Sequence, residues 1–168
     1  MEEVVVVDSS DKQIGVLEKL EAHKQGLLHR AISVLIFNSD GEILLQKRAA
    51  NKYHSSGLWT NTCCSHPKPG EDTIMAATRR LKEEMGIDTQ LKWSFSFEYM
   101  ANFENGLIEN ELDHVFIGYS DKTPIPDPVE VADWCYKNLN VLNADMKINA
   151  EQYSYWFHII INKLLDKN

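Results

Sequence analysis

Glu71-Asp72-Thr73-Ile74-Met75-Ala76-Ala77-Thr78-Arg79-Arg80-Leu81-Lys82-Glu83-Glu84-Met85-Gly86-Ile87 decides how the rest of the chain is layered. Its apolar positions Ile74, Ala77, Leu81 and Met85 recur at helical spacing, Asp72-Thr73 can cap the start and Gly86 supplies a stop, so a helix with one apolar stripe is predicted. Such a stripe must lie on another apolar layer. Upstream, Val4 to Val7 reads as a short strand followed by the turn Asp8-Ser9-Ser10-Asp11. Ala31 to Phe37, Asn38-Ser39-Asp40-Gly41 and Ile43 to Leu45 read as a buried hairpin with an Asp-Gly turn. Residues 48–58 read as loop. Downstream, Leu91 to Met100 and Glu109 to Tyr119 predict two more strands around a polar loop containing Asn105-Gly106. Pro124 to Pro128 is a surface connection, since its three prolines suit neither ladder nor helix. Val129 to Tyr136 predicts a further strand. Tyr153, Trp156, Phe157, Ile160 and Leu164 form the stripe of a terminal amphipathic helix. Strands flanked by helices predict an α/β/α sandwich with a mixed central sheet.

With 168 residues, 43% of them apolar and 10% aromatic, the chain can bury one full core, and a single domain over 1–168 is expected. A net charge of −8 argues against nucleic-acid partners and anionic membranes, which need basic surfaces. A phosphate-bearing substrate would need local basic residues and a metal. Met1-Glu2-Glu3 followed by four valines lacks the basic and long apolar regions of a signal peptide, and no run reaches transmembrane length. Three cysteines, an odd number with two adjacent, fit a reducing compartment; cytoplasm is the expectation. No interface signature stands out, so a monomer is expected.

The chemistry concentrates in Trp59-Thr60-Asn61-Thr62-Cys63-Cys64-Ser65-His66-Pro67, where an acid/base thiol precedes a metal-ligand type by two residues. His23 and His29 lie upstream, and Glu109-Asn110-Glu111 downstream. Together these histidines and carboxylates would make a five-ligand metal site, with the sixth position left to a substrate atom or a backbone oxygen. Glu109 and Glu111, two apart on a strand, point to one side and can address one ion.

From Ser65 to Ile87 the chain resembles the Nudix box: Ser65, five residues, Glu71, seven residues, then Arg79-Arg80-Leu81-Lys82-Glu83-Glu84-Met85-Gly86-Ile87. Two positions depart from the pattern. Ser65 stands for the leading glycine, and Arg80 for the glutamate after the first arginine, which removes a metal-binding carboxylate of the hydrolytic pattern and adds a phosphate-binding guanidinium. With Thr-Asn-Thr-Cys-Cys-Ser-His-Pro before the box, the chain resembles the type 1 isopentenyl-diphosphate Δ-isomerases from about Leu17 to the terminal helix. The resemblance implies a Nudix-like fold and an enzyme of isoprenoid biosynthesis acting on an isoprenoid diphosphate. It implies one divalent metal (Mg²⁺, Mn²⁺ or Zn²⁺) on His23, His29, His66, Glu109 and Glu111, and catalysis by Cys64 and Glu111. It further implies Glu84 helping to hold a Mg²⁺ on the substrate diphosphate, Lys19, Arg48, Lys52 and Arg80 as diphosphate contacts, and Tyr99 and Trp156 as active-site aromatics.

Moving a double bond along a five-carbon chain requires a proton on one end of an unactivated alkene and removal of another proton two carbons away. The tertiary cation-like state between these steps must be kept from water. A donor, an acceptor and an aromatic face in a dry pocket meet that need. Singly, each residue has a plainer reading: Cys64 a small buried hydrophobe, each histidine a surface or satisfied core residue, and Arg80 with Glu84 a solvated ion pair. Cys63, pointing opposite to Cys64, is expected in the core, as is Cys135. His54, His114 and His158 match no ligand position and are expected to be structural, and Glu83 at most supporting. The rival functions are a Nudix hydrolase, which would prefer glutamate at position 80, and a non-catalytic metal-binding module, which has no use for Cys64 beside His66.

Overall fold

A computed structural model describes residues 2–52 and 54–166; Tyr53, inside the segment read as loop, lies outside them. In chain order the described residues form β1 (Glu3–Val7), β2 (Gln13–Glu18), α1 (Lys19–Gln25), β3 (His29–Phe37), β4 (Glu42–Arg48), β5 (Trp59–Thr60), β6 (Cys63–Ser65) and α2 (Thr73–Met85). There follow β7 (Leu91–Asn102), β8 (Ile108–Tyr119), β9 (Val131–Asn138), α3 (Leu139–Ile148), a short 3-10 turn and α4 (Tyr155–Asp166). Among them no helix is long and apolar enough to cross a membrane.

The strands join in one mixed sheet. β3 runs parallel to β8 from His29↔Glu111 to Phe37↔Tyr119, β7 pairs antiparallel with β8, and β9 pairs antiparallel with β4. Alternate β3 residues divide the core in two. Ile32, Val34 and Ile36 pack with Ala76, Ala77, Leu81 and Met85 of α2 on one face. Leu35 joins Phe95, Phe97, Trp156, Phe157 and Ile160 under α3 and α4 on the other. Two apolar faces covered by helices make the expected α/β/α sandwich.

Several local expectations change. Ile74 is 41% exposed, so the buried stripe of α2 is carried by Ala76, Ala77, Leu81 and Met85. Gly86 ends α2 at φ 67°, and a side chain there would meet the Ile125 carbonyl at 2.8 Å, which favours glycine at this position. β2 has no fully buried residue, hence little hydrophobic pattern. α1 has only seven residues and is held by Glu18, whose carboxylate accepts from the Leu20 and Glu21 N–H groups. α3 buries only Leu142 and Met146, too thin a stripe to stand out.

The predicted β3–β4 hairpin is the main correction. The two strands share a single pair, Phe37↔Ile43, and then splay. Residues 59–65 fill the opening: β6 pairs with β3 through Ser33↔Cys64 and its neighbours, and β5 pairs with β4 through Gln46↔Thr60. Between them the buried Thr62 hydroxyl accepts from Ile36 N–H at 2.9 Å and donates to the Leu44 carbonyl at 2.6 Å. Asn61 Nδ2 donates to the Val34 carbonyl at 3.3 Å. Side chains thus supply rungs that the separated strands cannot supply to each other. Thr62→Val keeps the shape and removes both hydroxyl bonds, and should lower unfolding free energy by about 2–4 kcal/mol; the denaturation midpoint measures it.

Candidate active site

β8 presents Glu109, Glu111 and Asp113 on one side, all nearly buried. The parallel register sets His29 beside Glu111, with Nε2 3.5 Å from Glu111 Oε1. His66, just past β6, places its Nε2 2.9 Å from the same oxygen. Tyr99, opposite Glu111 on β7, donates its hydroxyl to Oε2 at 2.6 Å. α1 brings the ring of His23 to 4.8 Å from that of His29 and 6.0 Å from that of His66. Side chains from five separate segments therefore come close together.

Donor atoms of His23, His29, His66 and Glu111 lie within 4.8 Å of one another, and so do those of His23, His54 and Glu109. Ligands about 2.1 Å from one ion are separated by at most about 4.2 Å, so small movements would close these groups around a cation. The hydrogen bonds argue for one. A carbonyl only accepts, so Nδ1 of His23 donates to Lys19 O at 2.7 Å and Nδ1 of His29 to Leu27 O at 2.8 Å. His29 Nε2 is buried with no hydrogen-bond partner among the described residues, 3.5 Å from Glu111 Oε1, a position that a cation between them would satisfy. Burial lowers the pKa of His23 and takes that of His66 down to about 4, against the pull of Glu111, so both favour the neutral form that a metal needs. Burial and the charge of Glu111 push Glu109 well up. For Glu111 burial also acts upward, but the imidazoles of His29 and His66 beside it outweigh it and hold the carboxyl well below the usual range. Glu109 Oε2 is buried with no hydrogen-bond partner among the described residues. The His/Glu cluster fits a metal.

A cavity of about 340 Å³ adjoins the cluster, lined by Cys64, His66, Glu84, Glu111, Arg48 and Trp156 among others. Cys63 is fully buried on the α2 side, while Cys64 faces the cavity with Arg48 Nη1 3.5 Å from its sulfur. Burial pushes the Cys64 thiol up to about 12. Trp156, 3% exposed, carries the Arg48 guanidinium 5.3 Å from its ring and donates Nε1–H to Asn61 at 3.0 Å. It serves core and cavity at once.

The far end of the cavity is ionic. Glu84, buried on α2, accepts from Arg80 at 2.7 Å and from Gln46 at 2.9 Å. Arg80 also reaches Glu83 at 2.8 Å and Glu130 at 3.3 Å. Lys52 pairs with Glu130, and Lys19 with Glu2 at 3.1 Å. All four expected basic residues line this cavity.

Residues 27–157 match the NUDIX domain family. The chain is 51% identical over 164 residues to Isopentenyl-diphosphate Delta-isomerase 1 of Aromatoleum aromaticum, covering 98% of this chain and 93% of that protein. It is 52% identical over 165 residues to Isopentenyl-diphosphate Delta-isomerase 2 of Photorhabdus laumondii, covering 98% and 93%. The chain belongs to the isopentenyl-diphosphate Delta-isomerase family. The fold extends further: the crystal structure of DR0079 from Deinococcus radiodurans superposes with a TM-score of 0.81 at 17% identity, covering 96% of this chain and 98% of that one.

Within this isomerase fold, sequence reasoning missed several cavity residues, among them Asp113, Glu130, Glu2 and His54. Asp113 continues the alternation of Glu109 and Glu111 and was findable by that period; it accepts from the Ser33 hydroxyl at 2.7 Å, and burial, with the charge of Glu111, pushes it up to about 8. Glu130, Glu2 and His54 come from segments without periodicity. His114 lies 3.1 Å from Asp11 and His158 bonds Ala150 O, both outside the cluster. His66→Ala should weaken Mn²⁺ binding by at least about tenfold in calorimetric titration, with His114→Ala unchanged as the matched control.

Proposed function

We propose that this chain interconverts isopentenyl and dimethylallyl diphosphate, for isoprenoid biosynthesis, by proton transfer through a carbocation-like state. The observation that carries the mechanism is that a partly buried thiol, Cys64, and a buried carboxylate, Glu111, open into one cavity with the Trp156 indole. At neutral pH a thiol with its pKa near 12 holds its proton and a carboxyl held well down is ionised. A pair that gives one proton and takes another needs opposite states of this kind. Tyr99 holds Glu111 by its second oxygen and orients it. The indole face favours positive charge beside it, and a substrate filling the cavity would displace water that could trap the cation.

His23, His29, His66, Glu109 and Glu111 would hold one divalent metal, Mg²⁺, Mn²⁺ or Zn²⁺, which would supply a fixed positive charge that orients Glu111. Glu84 would help hold a Mg²⁺ accompanying the diphosphate, with Lys19, Arg48, Lys52 and Arg80 as its contacts. The diphosphate is anchored and not broken. Arg80 supports this over hydrolysis, because it occupies the box position where the hydrolytic pattern places a carboxylate. The free thiols suit a cytoplasmic monomer, the net charge of −8 suits a small-molecule partner over nucleic acid, and one domain accounts for all assigned residues.

Incubation with isopentenyl diphosphate in deuterated water should place solvent deuterium on carbon in an acid-labile allylic product. Released phosphate with no carbon-bound deuterium would overturn the reading. Cys64→Ala and Glu111→Gln should each lower turnover by about 10²–10⁴-fold or more with the circular dichroism spectrum retained, while Cys63→Ala retains most activity. Arg80→Glu should weaken transition-state binding by about 2 kcal/mol or more, read as kcat/KM, without phosphate release.

A further inference from the structure

His54 lies outside the ligand set that the family resemblance implies, yet its surroundings are those of a ligand. The segment that carries it, between β4 and β5, is polar and irregular, a context in which an imidazole ordinarily faces water. Here the residue is 9% exposed. Its ring stacks at 4.8 Å on Phe103 and at 5.8 Å on His23, and meets Trp156 edge-on at 6.3 Å. Nδ1 stays with its own loop, 3.4 Å from Ser55 Oγ. Nε2 points to the cluster, 3.3 Å from Glu109 Oε1, and Glu109 has its other oxygen buried without a partner among the described residues. His23 is common to both groups of converging donors.

We propose that His54 is a sixth protein ligand of the cation held by His23, His29, His66, Glu109 and Glu111. This rests on the metal reading above and extends it. Four imidazoles and two carboxylates complete an octahedral set, so the sixth position is taken by the protein and not by a substrate atom or a backbone oxygen. The ion is thereby closed to solvent, and its effect on the reaction is exerted through the orientation of Glu111. The closure has a second effect. Lys52 lies two residues from His54, and the His54 carbonyl accepts from Arg48 Nη2 at 3.3 Å. Binding of the ion by His54 therefore pins the loop that carries Lys52 and that Arg48, at the end of β4, bonds to.

The test reads the coordination of Mn²⁺ directly. The full chain, stripped with a chelator and reloaded with one equivalent of Mn²⁺, should show low water-proton relaxivity, as an ion with no exchangeable inner-sphere water does. His54→Ala should admit water, raise the relaxivity severalfold and weaken Mn²⁺ binding at least tenfold. His54→Phe, which keeps the stack on Phe103 but removes the donor, should behave alike and covers the case in which the alanine variant fails to fold. In both variants the KM for isopentenyl diphosphate should rise more than kcat falls. High relaxivity in the unsubstituted chain, two tight Mn²⁺ ions per chain, or unchanged relaxivity and affinity in the His54 variants would each overturn the proposal. Low relaxivity in a chain that does not isomerise would support the six-donor site and remove only the catalytic reading.

Discussion

One hydroxyl group holds open the space in which the site is built. Thr62 Oγ1 joins the Ile36 N–H of β3 to the Leu44 carbonyl of β4 where those strands have parted, and Gln46 of β4 returns a bond to the Thr62 carbonyl at 2.9 Å. Without such rungs, buried backbone groups would be unsatisfied and the strands would gain by closing on each other. Because they do not close, residues 59–65 are threaded between them, and Cys64 and His66 emerge at the wide end of the wedge. Asn61 secures the same segment, donating to Val34 O and Cys63 O and accepting from Trp156 Nε1. The thiol and the indole are thus held by one buried amide.

The second constraint is charge in a small volume. Glu109, Glu111 and Asp113 share one side of β8, and three ionised carboxylates cannot stand together in a low-dielectric interior. They are handled in two ways: Glu111 is surrounded by imidazoles and the Tyr99 hydroxyl, while burial and its neighbour's charge push both Glu109 and Asp113 upward. The opposed directions arise from a strand period of two residues and the segments laid against it. A cation in the cluster would relieve the remaining mismatch, including the unsatisfied Nε2 of His29 beside Glu111.

The layers and most elements were legible because they rest on burial, which writes itself into periodicity. The α2 stripe, the β7 and β8 boundaries and the aromatic face of α4 are of this kind. The divergence of β3 from β4 was not legible, since Asp40-Gly41 is equally good turn chemistry for a full hairpin and for a single shared rung. β2, α1 and α3 were hidden because they bury little and depend on caps such as Glu18 and Asn138. Most residues expected at the site from the family resemblance line one cavity; their proximity follows from the parallel β3–β8 register, which no local signal announces. His54 shows the limit most clearly, for its burial depends on Phe103, which lies far along the chain.

The ionic end of the cavity also bears on which anions the chain admits. Arg80 and Lys52 already hold carboxylates of Glu83, Glu84 and Glu130, and Lys19 holds Glu2. Arg48 has no carboxylate partner among the described residues, but at the other three basic residues an incoming anion must exchange with resident counter-ions and leave several carboxylates needing new partners. Inorganic phosphate brings nothing to satisfy them. A diphosphate that arrives with Mg²⁺ brings the positive charge that the displaced carboxylates require, so the swap is balanced for the metal complex and unbalanced for the free anion. Under the proposed function, this pairing would disfavour the abundant small anions of a cell, ahead of any recognition of the five-carbon chain.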